Sequence, residues 1–442
     1  MLRSAAVGLF LPVSLLAQQP SPITAIKAGS LIDGSGGAPV KNAVVLVQGE
    51  RITAAGAGVA IPAGATVIDL TGFTLLPGFI DAHVHLAGRT IGDGDWQHSL
   101  LTNSPAQLAL IGAAHAQQTL EAGFTTVRVV GSAHMGDLAL RNAINAGWLP
   151  GPRIVGAGIS LGIRGGHCDE TDGYWPGALH HEGGIEDGVA NGPEEVRDAV
   201  RYMVKYGADV IKICATGGVL SPTDSAGGQQ YSEDEMRVIV ETARLLDRRV
   251  AAHAHGTAGI KAAVRAGVTS IEHGSILDDE AVRLMKEHGT YLVPTLLAGY
   301  TVDSMARAGA LPPAVAAKAI AIAPRMQQSF RLALAGGVRI ALGTDAGVMR
   351  HGTNAREFEL MVRYGMTPAQ AIQAGTLAGA TLLGREADVG SLVAGKYADV
   401  VAVKGDPLQD ITLLQHVDFV MKGGKVFKQN GQVLGRSAAG VP

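Results

Sequence analysis

Seven residues with metal-binding or proton-transfer chemistry stand at or near the ends of apolar, strand-like runs. His83 and His85 close LLPGFIDAHVH, Lys212 lies inside VIKIC, His253 and His255 close VAAHAH, His273 stands in SIEHG and Asp345 in ALGTDA. Residues two apart on a strand point to the same side, so His83 and His85 can offer both imidazoles to one ion, and His253 and His255 repeat that geometry. Spacing alone does not say which of His253 and His255 binds. An isolated His-x-His is a weak signal; here it gains weight from following an apolar run with a Pro-Gly turn. Asp81, two residues before His83 on the same side, is placed to support the ligands.

Lys212 sits where a charged ammonium carries a large desolvation cost. Three chemistries fit it. The side chain can snorkel to the rim, act as a Schiff-base nucleophile in an aldolase, or react with carbon dioxide to a carbamate that bridges two cations as an anionic bidentate ligand. Five histidines and an aspartate at neighbouring strand ends supply such cations with ligands and favour the carbamate. Asp345 taken alone reads equally well as a helix cap; beside two metals it can ligate one of them and accept a proton from bound water. Cys168 and Cys214 read as small buried or rim residues, with a disulfide as the alternative open to an exported chain.

The elements that carry these residues follow from periodicity. From about residue 75 to 384 the chain alternates eight strand-like runs (LLPGFIDAHVH, TTVRVV, RIVGAG, DVIKICA, RVAAHAH, SIEHG, YLVPTL and RIALGTDA) with helical stretches. Ser232 to Asp247 opens with the capping box Ser232-x-x-Glu235. Residues 193–206 carry Pro just inside their start, and 367–383 form a third helix. This is the arithmetic of an α/β fold, a (β/α)₈ barrel, in which groups at the C-terminal strand ends converge on one mouth. An open doubly wound sheet lacks support, because no Gly-rich phosphate loop follows the first strand. Short β-branched runs at residues 18–74 and 385–442 predict a small β-sandwich domain built from both termini.

Composition narrows the function. With 442 residues, 36 Lys+Arg against 39 Asp+Glu and a net charge of -3, the chain shows no broad nucleic-acid or anionic-membrane footprint. Two cysteines make no disulfide scaffold and no thiolate zinc site. Residues 1–17 have signal-peptide grammar, with Arg3, an apolar run from Ala5 to Leu16 and a small residue at Ala17. Export to the periplasm or medium, with a soluble mature chain starting near Gln18, is the expectation.

With these motifs in order, the chain resembles the amidohydrolase superfamily. The resemblance runs from LIDGSGGAPVKNAVVLVQGERITAAG through LLPGFIDAHVHL, VIKICATGG, AAHAHG, SIEHG and ALGTDAG to LVAGKYADVVAVKGDPL. It implies a distorted (β/α)₈ barrel and two zinc ions, one held by His83, His85, the Lys212 carbamate and Asp345, the other by that carbamate, His253 and His273. His255 then falls on the substrate side. The branch it resembles is prolidase-like and imidazolonepropionase-related, with Xaa-Pro and Xaa-Arg or Xaa-Lys dipeptidases and ochratoxin A amidohydrolases. There, a His and a Tyr after strands three and four contact substrate, which implies such roles for His167 in GGHCD and Tyr231 in QQYSEDE. Val129 and Cys168 stand where relatives usually carry Asp and Gly, departures that bear on pocket shape.

The function so implied is hydrolysis of the amide bond to a C-terminal amino acid, in a dipeptide or N-acyl amino acid, by a metal-bridging hydroxide. Asp345 would shuttle the proton, and His167 and Tyr231 would hold the oxyanion or the substrate carboxylate. A homo-oligomer is expected from the branch. The nearest alternative is a cyclic-amide or lactone hydrolase of the same superfamily. A non-catalytic assembly protein on this fold is remote, because no ligand position is lost.

Overall fold

The computed structural model describes residues 21–91, 98–175 and 183–434. The expected signal segment lies outside the described residues. Among those described, no helix is long and apolar enough to cross a membrane.

Each of the eight expected runs becomes a barrel strand. The first seven are β5 (Phe79–Val84), β6 (Phe124–Val129), β7 (Arg153–Gly156), β8 (Val210–Cys214), β9 (Arg249–Ala254), β10 (Ser270–His273) and β11 (Tyr291–Val293). Parallel pairing joins β5 to β6 and β7, and β8 through β9 and β10 to β11. Residues 339–346 form the eighth position. Leu292 pairs with Ile340 and Val84 with Ala346, and the Ala82 amide donates to Leu342 O at 2.9 Å, closing the barrel on that side. A Leu161–Ile213 bridge closes the other seam, between β7 and β8. Every residue of β5, β6 and β8 is buried, as parallel strands covered by helices require.

Local sequence signals set the outer helices. Ser232 and Glu235 form the expected reciprocal cap on the helix Glu233–Leu245. Thr367 and Gln370 do the same for Pro368–Gln373, which continues through a π turn at Ala374–Ala378. That turn carries Gly375, where a Cβ would lie 2.5 Å from the Phe358 ring. Phe358 in turn packs edge-on against Phe79 at 5.1 Å, so strand, helix and turn share one aromatic contact.

The terminal β domain is a single hydrogen-bonded ladder, not two separate sheets. β1 (Ile23–Leu31), β2 (Val40–Gln48), β3 (Arg51–Ala57) and β4 (Thr66–Pro77) join β12 (Val400–Lys404), β13 (Phe419–Lys422), β14 (Lys425–Gln429) and β15 (Gln432–Val433). Their order is β15-β14-β13-β12-β4-β1-β2-β3. The far edge returns on itself through the Arg51–Tyr397 bridge, and the layers enclose Ile26, Val45, Leu75, Val400 and Phe419. The sandwich is therefore a sheet folded over its own core, with β4 running directly into β5 and so fixing the angle of the first barrel strand.

Truncating Phe358 to Ala would empty the junction between β5, β6 and the π turn. A loss of about 3–5 kcal/mol is expected, read as a lowered urea midpoint with the folded far-UV spectrum retained.

Candidate metal centre

Two groups of donors face each other at the C-terminal end of the barrel. His83, His85 and Asp345 offer atoms within 4.8 Å of one another, and so do His253, His255 and His273. Lys212 lines the same cavity, and its ammonium makes no hydrogen bond or salt bridge with a described residue. Its charge acts on His83, His85, His253, His255, His273 and Asp345 alike. The six expected metal-binding residues are thus in one place.

Burial sets the charge state of these groups. It drives His83, His253 and His273 well below the usual imidazole range and takes His85 to about 4 and His255 to about 3. It lowers Lys212 to about 8 and lifts Asp345 to about 7. Neutral imidazoles keep a lone pair for a cation, which is what a metal site requires.

Each ring has its other nitrogen engaged. His83 Nδ1 donates to Glu272 Oε2 at 2.8 Å and His85 Nδ1 to Gly131 O at 2.9 Å. His253 Nε2 donates to Gly217 O at 3.2 Å. His255 Nδ1 meets Ser275 Oγ at 2.5 Å, and His273 Nδ1 meets Thr295 Oγ1 at 2.7 Å. Pairs of this kind fix ring orientation and raise the basicity of the free nitrogen. The donor set is rich in imidazole with one carboxylate, a combination that fits divalent cations such as zinc.

The structure moves one expected substrate contact. Tyr231 is not at the mouth. It is fully buried in the main core, its hydroxyl donates to Ala190 O at 3.2 Å, and burial pushes the phenol up. The reason is alternation after the antiparallel Thr216–Gln229 bridge: Gln230 turns toward the site, and Tyr231, one residue on, turns to the opposite face. It is Gln230 whose Oε1 accepts the His167 amide at 3.0 Å. His255, expected on the substrate side, lines the cavity and also lies within reach of His253 and His273 as a third donor. His167 does line the cavity, its ring 4.2 Å from that of His253.

Further residues brace the donors, and Glu272, Arg128 and Glu357 among them were not assigned from the sequence. Glu272 is fully buried and bridges His83 to Arg128, whose Nη2 lies 2.7 Å from Glu272 Oε1 while its Nε donates to Ala82 O. Two opposite charges in apolar runs were the available hint. Asp81 supports the donors through the backbone. It accepts from the His83 and Thr344 amides and from Thr344 Oγ1 and Asn354 Nδ2, and so ties β5 to the eighth strand. His273, Thr295 and Asp345 all adopt left-handed backbone, with φ of 71°, 47° and 61°, a strain that clusters at functional sites. Glu357 helps to hold Thr295 there by accepting the Leu296 and Leu297 amides at 2.8 and 2.7 Å. Cys168 and Cys214, read as small separate residues with a bond as the alternative, are joined in a disulfide that ties the His167 loop to β8.

A buried barrel mouth that gathers five imidazoles, a carboxylate and a lysine is the donor set of a metal-dependent enzyme. Comparison with known proteins gives its family. The amidohydrolase family model matches residues 74–427. Ochratoxinase of Aspergillus niger is 35% identical over 453 residues, spanning 95% of this chain and 90% of the relative. An imidazolonepropionase of Streptomyces coelicolor is 27% identical over 373 residues, spanning 82% of this chain and 85% of the relative. Among solved structures, a Xaa-Pro dipeptidase with methionine bound in its active site is 41% identical with a TM-score of 0.88, over 92% of this chain and 100% of that one. The chain belongs to the amidohydrolase family and is a hydrolase of amide bonds.

Replacing Glu272 with Gln removes the negative charge that receives the His83 proton. Metal affinity is expected to fall about 10- to 100-fold, measured by competition with a chelator, while His83→Ala loses the ligand itself.

Proposed function

We propose that the protein cleaves the amide bond to a C-terminal amino acid in dipeptides or N-acyl amino acids, using two divalent cations, zinc by preference. The observation that carries this reading is the pair of donor groups that share one cavity with Lys212. His83, His85 and Asp345 would hold one cation, His253 and His273 with His255 beside them the other, and a carbamate on Lys212 would join both. When bound, the cations would lower the pKa of water and polarise the scissile carbonyl.

The chain's own residues supply the rest. Asp345, its Oδ1 at 3.5 and 3.4 Å from the Nε2 atoms of His83 and His85, is placed to take a proton from the attacking water and give it to the departing amine. The cavity of about 270 Å³ has an aliphatic wall from the helices Leu296–Arg307 and Pro313–Gly336, including Val302, Ile322 and Met326. That wall suits an apolar side chain or acyl group. Arg89, exposed at the rim of the same cavity, supplies a fixed positive charge for the substrate carboxylate.

The ochratoxinase, the Xaa-Pro dipeptidase and a prolidase complexed with N-methylphosphonate-L-proline (32% identity, TM-score 0.84) all support amide chemistry of this kind. Signal-peptide grammar in residues 1–17 and the Cys168–Cys214 pair support export to an oxidising compartment.

Metal analysis paired with a panel of dipeptides, N-acyl amino acids, ochratoxin A, cyclic amides and lactones tests the reading. About two metals per chain and turnover of open-chain amides are expected, with chelator abolishing activity and bicarbonate hastening reconstitution. Asp345→Asn is expected to lower kcat by at least about 100-fold, the lower range for a lost general base, with an unchanged thermal midpoint. Arg89→Met should raise KM about tenfold for substrates with a free carboxylate, the value of one lost charged hydrogen bond. Their carboxamide analogues should be unaffected.

A further inference from the structure

The metal donors occupy one end of the barrel, and the other end holds a second concentration of charge. A cavity of about 300 Å³ lies at the N-terminal ends of β8 and β9. Asp209, Arg248 and Arg249 reach it from just before or at the start of those strands, and the turn after the helix Gly379–Leu383 brings Arg385 beside them. Asp247, Arg249 and Arg385 are exposed, so the cavity is within reach of solvent.

Counting ion pairs leaves positive charge over. Arg128 lines the cavity but is spent on Glu272, Ser270 Oγ and Ala82 O. Asp209 is taken by Arg141 at 2.6 Å and by the Gly156 amide at 3.0 Å. Arg248 and Arg249 meet only backbone carbonyls. Arg248 donates from Nε to Ala208 O and from Nη1 to Leu246 O and Asp247 O. Arg249 donates from Nη1 to Thr381 O and Leu382 O, where it caps the end of that helix. Arg385 makes no hydrogen bond or ion pair with a described residue, and neither does the Asp247 carboxylate. Three guanidiniums without a carboxylate partner therefore stand against one free carboxylate.

The unused donors are suited to an oxyanion. A guanidinium carries five N–H groups in a planar fork. The backbone contacts leave Arg248 Nη2, Arg249 Nε and Nη2 and the whole Arg385 fork for a ligand. Gly384 admits Arg249 to its place, since a Cβ there would stand 3.2 Å from both Cζ and Nη2. A carboxylate would balance only part of the excess charge. A phosphate dianion matches it, and its oxygens accept from guanidinium forks in pairs. The adjoining cleft of about 930 Å³ shares Val155, Asp209 and Arg385 with this cavity. It is flanked by Trp148, 79% exposed, and by Tyr397, whose ring lies between the Arg51 and Arg153 guanidiniums at 3.7 and 4.1 Å. An organic group carried on the phosphate has room there and an indole to stack on.

We propose that the base of the barrel is a second binding site, for a phosphate group, free or carried as a monoester, held by Arg248, Arg249 and Arg385. Catalytic groups of such barrels lie at the opposite, C-terminal strand ends, so the occupant is not the substrate of the metal centre. The site does not depend on the amide-cleaving reading.

Isothermal titration of the purified protein with inorganic phosphate and with phenyl phosphate, at fixed ionic strength, tests the site. Saturable binding and a raised thermal midpoint are expected. Arg385→Met removes a side chain that the fold does not use. It should weaken binding at least about tenfold, the value of a lost charged hydrogen bond, with an unchanged midpoint in the absence of phosphate. Asp247→Asn should tighten binding about two- to fourfold by removing the opposed carboxylate. Asn tolerates the left-handed backbone at that position, φ 55°. Arg89→Met, at the metal-lined mouth, is the control and should bind as the wild type does. Absence of saturable binding, equal affinity in wild type and Arg385→Met, or binding lost in Arg89→Met and kept in Arg385→Met overturns the proposal. The two ligands separate the sources. Tighter binding of phenyl phosphate, erased by Trp148→Ala, supports a monoester that extends into the cleft, and equal affinities support free phosphate in the same site.

Discussion

Desolvation at the barrel mouth governs the titratable groups that line it. A histidine or a lysine placed there loses the hydration that would stabilise its charge, so the imidazoles fall below their usual range and Lys212 drops to about 8. Neutral rings have one lone pair each and one N–H to place. Glu272, Gly131, Gly217, Ser275 and Thr295 engage the second nitrogen of His83, His85, His253, His255 and His273 in turn. The mouth is thus a set of oriented lone pairs, kept neutral by burial and kept in place by hydrogen bonds.

Holding that arrangement requires strain and bracing around it. His273, Thr295 and Asp345 take left-handed backbone that non-glycine residues avoid. The surrounding contacts over-determine it: Glu357 grips the amides after Thr295, and Asp345 N donates to His83 O at 2.7 Å across the barrel seam. Arg128 and Glu272 form a buried ion pair inside the barrel. Such a pair adds little net stability compared with apolar packing, so its value here is the orientation of His83. On the opposite rim, Lys318, Asp224 and Ser221 do for His167 what Glu272 does for His83, and the disulfide fixes the neighbouring residue.

The cavity has two characters. One side is polar and presents nitrogen and oxygen donors; the other is aliphatic, from Val302, Ala319, Ile322 and Met326 on the two long helices after β11. With aromatics only 4% of the chain, the apolar wall is built from aliphatic side chains. Such a pocket discriminates weakly among apolar side chains of similar size. Sharper selection has to come from the polar groups at its edge, Arg89 and His167 among them.

How far the sequence reaches can be judged residue by residue. All eight barrel strands, the cap at Ser232 and the convergence of His83, His85, Lys212, His253, His273 and Asp345 were legible. Strand alternation, helix capping and the placement of polar residues at strand ends are local patterns with fixed geometric consequences. Tyr231 was misplaced because a bridge fifteen residues upstream, at Thr216, decides which face it takes. His255 and His253 share one face of one strand, and only their neighbours, Ser275 and Gly217, distinguish them. Arg128 with Glu272, Glu357 with Leu296, Ser221 with His167 and Cys168 with Cys214 are partners separated by 144, 61, 54 and 46 positions. The chain alone therefore determined which elements form and which residues reach the mouth, because those depend on contacts within a turn or a strand. The folded barrel decided the protonation states, the ring orientations and the pairings, because they depend on burial and on groups that only closure of the barrel brings together.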